Sequence, residues 1–150
     1  MKKEIKAPNK LNYTGMAVFL AGSIEMGKAE NWQQKLASAL DNITILNPRR
    51  DDWDSSWEQS INNKQFREQV EWELEALEKA DVIAMYFDKT TKSPITLLEL
   101  GLFANTGRMI VCCPEGFWRK GNVDIVCNRH NILQAETIED LILRIQNFFG

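Results

Sequence analysis

Cysteine and histidine are scarce in this chain, which has three cysteines and one histidine among its 150 residues. Cys112 and Cys113 are adjacent in a strand-like run, so they suit neither a disulfide framework nor a metal site. His130 has no serine or cysteine partner at a suitable spacing, and we do not expect a histidine-dependent triad. We expect buried, reduced thiols and a protein that uses no metal and no other cofactor.

Long hydrophobic runs and an excess of basic residues are also missing. No apolar run approaches the roughly 20 residues that span a bilayer, and Met1–Lys6 is not followed by the apolar segment of a signal peptide. The formal net charge is −3, and no basic stripe would attract a polyanion. These absences predict a cytoplasmic protein whose partners include neither a membrane nor a nucleic acid polymer.

The patterns that are present favour one α/β domain over residues 1–150, in which residues 1–14 form a poorly ordered or peripheral segment. The predicted strands are Met16–Ala21, Ile43–Leu46, Val82–Phe87, Met109–Cys113 and a weaker one near Ile132. The predicted helices are Ala29–Leu40, Gln65–Ala80, Pro94–Asn105 and Ile138–Phe148. This alternation predicts a doubly wound, flavodoxin-like or Rossmann-like fold with a parallel sheet of about five strands. A ligand is expected at the carboxyl ends of the strands.

Glu99 is unusual because it lies in a helix that is otherwise apolar. Ser93 and Pro94 are typical of a helix start, with an N-cap followed by a first-turn proline. Large apolar residues surround the axis on nearly all sides, which predicts a packed helix; they are Leu97, Leu98, Leu100, Leu102 and Phe103. An acid buried in such a helix either has a partner, such as an arginine or a loop that it caps, or has a function.

A second acid, Glu73, falls on the apolar side of the preceding helix. The apolar stripe of that helix consists of Phe66, Val70, Leu74, Leu77 and Ala80. The polar side carries the other glutamates, Glu68, Glu71, Glu75 and Glu78. Glu73 and Glu99 can meet if this helix packs across the strand that joins the two helices. Two inward-facing carboxylates can cleave a bond at an anomeric carbon, because one acts on the carbon and the other handles the proton of the leaving group.

Two loops are candidates for substrate contacts. The first strand ends in Gly22 and Ser23, where glycine allows a close backbone approach and serine supplies a hydroxyl, although a plain tight turn has the same composition. The loop of residues 47–63 is longer than an ordinary strand-to-helix loop. Its Trp53 can stack on a nucleobase and its Asp52 can read a base edge. The alternatives are a solvated loop pinned by its tryptophans, or a divalent cation bound to its aspartates.

Three markers follow one another in a specific order and spacing. They are the strand end Phe19–Ser23, the passage Glu73–Asp81, and Ser93 six residues before Glu99-Leu-Gly101. With this arrangement the chain resembles the nucleoside 2-deoxyribosyltransferase-like family, a superfamily that also holds 2′-deoxynucleoside 5′-phosphate N-hydrolases. The resemblance runs from about Val18 to Asn128.

The resemblance implies a role for each marker. Glu99 is matched to the nucleophile that takes the deoxyribosyl group, and Glu73 to an aspartate that handles the proton at the base. Ser93 is matched to a carboxylate or serine that holds sugar hydroxyls or phosphate. Phe19 stands where a tyrosine hydroxyl usually assists the nucleophile.

The resemblance also implies a homo-oligomer with shared active sites, because a segment of the neighbouring subunit closes the site in these enzymes. The counterpart of that segment is Gly121–Asp124. Asn122 matches an asparagine that contacts the 5′-hydroxyl, whereas Asp124 replaces an apolar, methionine-like residue.

We therefore predict an enzyme that cleaves the N-glycosidic bond of a 2′-deoxynucleoside or nucleotide through a covalent glycosyl-Glu99 ester and transfers the sugar to another base. Hydrolysis, in which water replaces the acceptor base, and a nicotinamide nucleotide substrate are the alternatives. A nucleotide-binding sensor that keeps the fold without the chemistry is the alternative from another class. Catalysis is favoured over a sensor, because a pure binder gains nothing from two buried acids.

Overall fold

The computed structural model of the protein describes residues 3–23, 31–50, 54 and 56–150. Within these residues the fold is α/β, with one sheet of six parallel strands in the order β1-β3-β2-β4-β5-β6. The strands are β1 (Lys3–Lys6), β2 (Ala17–Gly22), β3 (Thr44–Asn47), β4 (Val82–Tyr86), β5 (Met109–Cys112) and β6 (Leu133–Ala135). The helices are α1 (Trp32–Ala39), α2 (Lys64–Lys79), α3 (Pro94–Phe103), α4 (Lys120–Arg129) and α5 (Ile138–Phe149).

Helices cover both faces of this sheet, because successive strand residues face two separate hydrophobic clusters. On one face Phe19 and Ile83 pack with side chains of α2, α3 and α4. On the other face Val18 and Ala84 pack with side chains of α1 and α5. The predicted doubly wound α/β fold is therefore confirmed, and it places the helices that carry Glu73 and Glu99 in the same layer.

The sequence pattern missed two elements, β1 and α4. In β1 only Ile5 has a buried side chain, and the strand pairs with β3 at the edge of the sheet. In α4 only Val123 and Cys127 are buried. Elements that bury so few apolar side chains leave little periodicity to detect, and the sheet has six strands instead of about five.

The expectation that α3 is packed on all sides is wrong. Ile95, Leu98 and Leu102 are 58%, 59% and 53% exposed, whereas Glu99 and Leu100 are buried. The helix lies in the outer layer, so only one of its faces can contact the sheet. Its opposite face is an exposed apolar stripe at helical spacing, which no described residue covers.

The remaining sequence expectations concern the thiols and the surface. Cys112, Cys113 and Cys127 are free and buried, and burial raises their pKa values to about 11, 12 and 11. His130 is exposed and lies just after the last residue of α4. Across the described ranges, no helix combines the length and apolar character needed to cross a membrane.

Candidate active site

Helix α2 brings Glu73 to the sheet. The helix begins after Asn63, whose Oδ1 accepts a hydrogen bond from the backbone N of Phe66 at 2.9 Å. Its buried side is rotated relative to the predicted stripe, because Gln69, Trp72, Ala76 and Leu77 are buried while Val70 is 38% exposed. Glu73 lies on this side and is half-buried. The four other glutamates of α2 are all exposed; they are Glu68, Glu71, Glu75 and Glu78.

Helix α3 brings Glu99 to the same place. The helix begins at Pro94, as predicted, but Ser93 makes no side-chain capping bond. Ser93 has a left-handed backbone with φ of +48°, and its hydroxyl bonds to other hydroxyls instead. Glu99, which follows one and a half turns later, is only 6% exposed.

Glu73 and Glu99 are hydrogen-bonded to each other through their carboxyl groups. Burial and the negative charge of Glu73 raise the pKa of Glu99 well above its ordinary value. Burial also raises the pKa of Glu73, but hydrogen bonds from Gln69 and Glu99 oppose that rise. When the pair holds one proton, Glu99 is therefore the protonated donor and Glu73 the accepting carboxylate.

Gln69 holds Glu73 in this arrangement, a role that the sequence analysis missed. Its Nε2 donates to Glu73 Oε2 at 3.0 Å and to the carbonyl oxygen of Pro48 at 2.8 Å. These bonds join the pair to the loop that leaves β3. Gln69 is 4% exposed and lies one helical turn before Glu73. The spacing of four residues on the buried side was the signal that could have found it.

Ser23 and Ser93 meet in a buried cluster of hydroxyl groups between the ends of β2 and β4. Their Oγ atoms are hydrogen-bonded to each other. Thr91 Oγ1 lies 3.1 Å from Ser23 Oγ and 2.7 Å from Ser93 Oγ. Ser23 Oγ also accepts a hydrogen bond from the backbone N of Asp88 at 2.8 Å. The cluster therefore fixes the loop that precedes α3, and Thr91 belongs to it although the sequence analysis did not select it.

Gly22 is needed for the close approach of β2 to β4. A Cβ at this position would lie 2.3 Å from the carbonyl oxygen of Tyr86 and 2.6 Å from Cζ2 of Trp32. The next residue, Ser23, donates its backbone N–H to the Tyr86 carbonyl at 3.1 Å. The absence of a side chain at Gly22 thus lets the strand end bring Ser23 to the hydroxyl cluster.

The other predicted site residues that the structure describes do not join these groups. Phe19 is fully buried and its ring lies 6.4 Å from that of Trp72, centroid to centroid. Asn122 is exposed on α4, and Asp124 accepts hydrogen bonds from Lys120 Nζ at 3.2 Å and Gln134 Nε2 at 2.9 Å. Asp52 and Trp53 lie outside the described residues. As substrate contacts, all of these stay predictions.

A metal centre has no candidate ligand set in the part of the chain that the structure describes, where three or more His, Cys, Asp or Glu side chains do not cluster suitably. The polar groups that converge are instead one acid pair and one set of hydroxyls. An acid pair with one proton can supply both a carboxylate nucleophile and a proton donor, provided that the proton changes its position.

Comparison with known proteins gives one result that bears on this arrangement. The model of the family described as nucleoside 2-deoxyribosyltransferase like matches residues 15–117, which include Glu73, Glu99 and the hydroxyl cluster. A comparison with curated proteins gives no match.

Proposed function

The chain belongs to the nucleoside 2-deoxyribosyltransferase-like family, and we propose that it cleaves the N-glycosidic bond of a 2′-deoxynucleoside or nucleotide and transfers the sugar to another base. The observation that carries this proposal is the hydrogen-bonded pair of Glu73 and Glu99. Each acid is supplied by a different helix, and both belong to the layer that packs on one face of the sheet. Such a pair can divide the work of glycosyl transfer between a nucleophile and a proton donor.

The reaction begins with a proton shift within the pair. Glu99 passes its proton to Glu73, so that Glu99 becomes the carboxylate and Glu73 the acid. An oxygen of Glu99 then attacks C1′ of the sugar. The C1′–N bond breaks, its electron pair goes to the base, and Glu73 gives the base its proton. The products of this step are a glycosyl-Glu99 ester and a neutral free base.

The second half of the reaction reverses these roles. A nitrogen of the acceptor base attacks C1′, and the electron pair of the ester C1′–O bond returns to Glu99. The proton released by the acceptor base goes to the Glu73 carboxylate, which restores the single proton of the pair. Water in place of the acceptor base would give hydrolysis.

The hydroxyl cluster of Ser23, Thr91 and Ser93 is suited to bind the sugar of the substrate. Ser93 contributes a buried hydroxyl that is part of a fixed network with Ser23 and Thr91. Hydroxyl groups both donate and accept hydrogen bonds, so a sugar hydroxyl or a phosphate oxygen can replace one of the internal contacts.

The test is to incubate the protein with deoxynucleosides, their monophosphates and nicotinamide nucleotides, with and without an acceptor base, and to separate the released bases by chromatography. Exchange that requires the acceptor supports transfer, and base release without it indicates hydrolysis. Glu99→Gln is expected to abolish both, whereas Glu71→Gln, which changes an exposed acid of α2, is expected to leave them unchanged.

Mass spectrometry supplies the direct evidence for the covalent step. A glycosyl adduct on the peptide of residues 93–108 supports Glu99 as the nucleophile. Near wild-type turnover of Glu99→Gln would exclude this role. Binding of nucleotides without release of any base would favour the sensor function instead.

We also propose that the protein is a homo-oligomer with shared active sites. The exposed apolar stripe of Ile95, Leu98 and Leu102 supports this, because it lies on the helix that carries Glu99 and suits the core of a subunit interface. Leu102→Glu is expected to dissociate the oligomer in analytical ultracentrifugation. Leu143→Glu is the matched control, since Leu143 is also 53% exposed but lies on α5, on the opposite face of the sheet.

Subunit mixing tests whether the site is shared. If Asn122 serves the site of a neighbouring subunit, inactive Glu99→Ala and Asn122→Ala chains should regain activity after subunit exchange, because one mixed site carries both changes and the other carries neither. A fully active monomer in sedimentation would contradict shared sites.

A further inference from the structure

Arg49 presents a buried hydrogen-bonding edge that no described residue satisfies. The residue follows the end of β3, and its backbone N donates to Asn47 Oδ1 at 3.0 Å. Its Nε and Nη2 atoms are buried, and neither has a hydrogen-bond partner among the described residues. These two nitrogens form one edge of the guanidinium group, whose parallel N–H groups match two adjacent acceptor atoms. Buried N–H groups without an acceptor are unfavourable, so this edge is suited to a ligand that supplies acceptors.

The neighbouring Arg50 shows the contrast. Its Nη1 lies 3.2 Å from Glu68 Oε1, and its guanidinium stacks 4.9 Å from the centre of the Trp57 ring. Arg50 therefore has internal partners that fix the loop. In Arg49, one residue earlier, the edge formed by Nε and Nη2 has no partner among the described residues and can bind a ligand.

Two hydrogen bonds of Gln69 connect the loop that carries Arg49 to the acid pair. The carbonyl oxygen of Pro48, the preceding residue, accepts from Gln69 Nε2 at 2.8 Å, and the same nitrogen donates to Glu73 at 3.0 Å. The hydroxyl cluster lies on the opposite side, because Ser93 follows β4 and β2 separates β4 from β3 in the sheet. The backbone at Arg49 is thus on the Glu73 side of the site.

Because the backbone at Arg49 lies on the Glu73 side, this residue can contact only the part of a substrate that binds on that side. If Glu73 protonates the leaving base, as in the proposed function on which this step rests, the base lies on the Glu73 side. The sugar then extends from C1′ at Glu99 toward the hydroxyls of Ser23 and Ser93.

We propose that Arg49 binds the leaving base through two adjacent acceptor atoms and makes the protein prefer 6-oxopurines, which present O6 and N7 side by side. Arginine pairs with O6 and N7 of guanine through this same two-nitrogen edge. Adenine presents N7 beside an amino donor, which faces a donor of the arginine and cannot pair with it. The cation also stabilises the electron density that the base receives as the C1′–N bond breaks.

Kinetics with paired substrates test this proposal. Wild-type protein should cleave deoxyguanosine and deoxyinosine with a kcat/KM about 5- to 150-fold higher than that for deoxyadenosine. Arg49→Met should remove most of this preference. Arg49→Lys, which keeps the charge but not the two-nitrogen edge, should retain the fold and also lose most of the preference. Arg67→Met is the matched control, because Arg67 is exposed on α2 and already pairs with Glu71.

Several outcomes would overturn the proposal. Equal use of deoxyguanosine and deoxyadenosine by the wild-type protein would do so, and so would a preference that survives in both Arg49 variants. If Arg49→Met weakens only the 5′-monophosphates, whatever their base, the edge binds phosphate and the assignment to the base is wrong. Circular dichroism shows whether the variants are folded.

A binding experiment separates this proposal from the proposed function. If no substrate is cleaved, the proposed function fails, but calorimetry with free guanine and adenine still reports on Arg49. Tighter binding of guanine that is lost in Arg49→Lys supports the proposal without catalysis. Equal or absent binding of both bases contradicts it.

Discussion

Replacing Glu99 with glutamine should make the protein more stable at neutral and alkaline pH, although it should abolish the chemistry. Glu99 is 6% exposed and is hydrogen-bonded to Glu73. A glutamine side chain has nearly the same shape, and its amide N–H can donate to the Glu73 carboxylate as the protonated Glu99 does. The variant therefore keeps a neutral hydrogen-bond donor at position 99 at every pH.

The size of the effect follows from the raised pKa of Glu99. In the unfolded chain this carboxyl group ionises near its ordinary pKa of 4.5, whereas in the folded protein its pKa lies well above that value. Between these two pH values the folded state keeps a proton that the unfolded state has lost. The free energy of unfolding of the wild type thus falls by about 1.4 kcal/mol for each pH unit in this interval. The contribution is complete below pH 4.5 and lost as the pH rises through the folded pKa.

Urea denaturation at pH 5, 6, 7 and 8 measures this difference. The advantage of Glu99→Gln over the wild type should increase with pH by roughly 1.4 kcal/mol per unit until the folded pKa is passed, and then become constant. Glu71→Gln, at an exposed position of α2, should follow the wild type at every pH. An advantage of Glu99→Gln that does not change with pH would refute the assignment of the proton to Glu99.

Three further predictions concern the surroundings of the pair. Glu73→Gln should lower kcat by about 10²- to 10⁴-fold with little change in KM. The control Glu71→Gln should have no effect. Equal effects of the two substitutions in steady-state assays would show that Glu73 has no catalytic role. Gln69→Leu removes the donor that stabilises the Glu73 carboxylate, so the acid limb of the profile of kcat/KM against pH should move to higher pH. A uniform loss of rate at every pH would instead indicate a purely structural role for Gln69. Gly22→Ala should lower the free energy of unfolding by about 3 kcal/mol in urea denaturation, because the added Cβ would clash with the Tyr86 carbonyl. Near wild-type stability of this variant would show that β2 and β4 can move apart to accommodate the Cβ.

The sequence was sufficient to predict the elements that bury long apolar stretches. Strand β4 was predicted at Val82–Phe87 and is found at Val82–Tyr86, and helix α5 was predicted at Ile138–Phe148 and is found at Ile138–Phe149. Buried parallel strands are apolar throughout, and an amphipathic helix repeats its apolar residues at 3.6-residue spacing. The sequence also singled out Glu73 and Glu99, because an acid on an apolar face breaks the pattern around it.

The tertiary structure alone showed that the two acids are in contact. Glu73 and Glu99 are separated by 26 positions in the chain, and neither periodicity nor composition specifies how α2 and α3 pack on the sheet. Packing also determined which carboxyl group carries the proton, since that depends on the burial of Glu99 and on the donor from Gln69. Local sequence can place a side chain on one face of a helix, but the pKa of that side chain depends on all neighbours that folding brings to it.

The same distinction applies to Ser93, Arg49 and α3. The sequence correctly predicted that a helix begins at Pro94. The Ser93 hydroxyl, however, bonds to Ser23, 70 residues away, instead of capping that helix. Nothing local distinguishes Arg49 from Arg50, which differ only in the partners that the fold gives them. The apolar sequence of α3 indicated a buried helix, and only the layer structure revealed that one face remains exposed. The sequence thus determined which segments form helices and strands, because those preferences are local, while the fold determined the contacts and charges of the site, because these arise between distant segments.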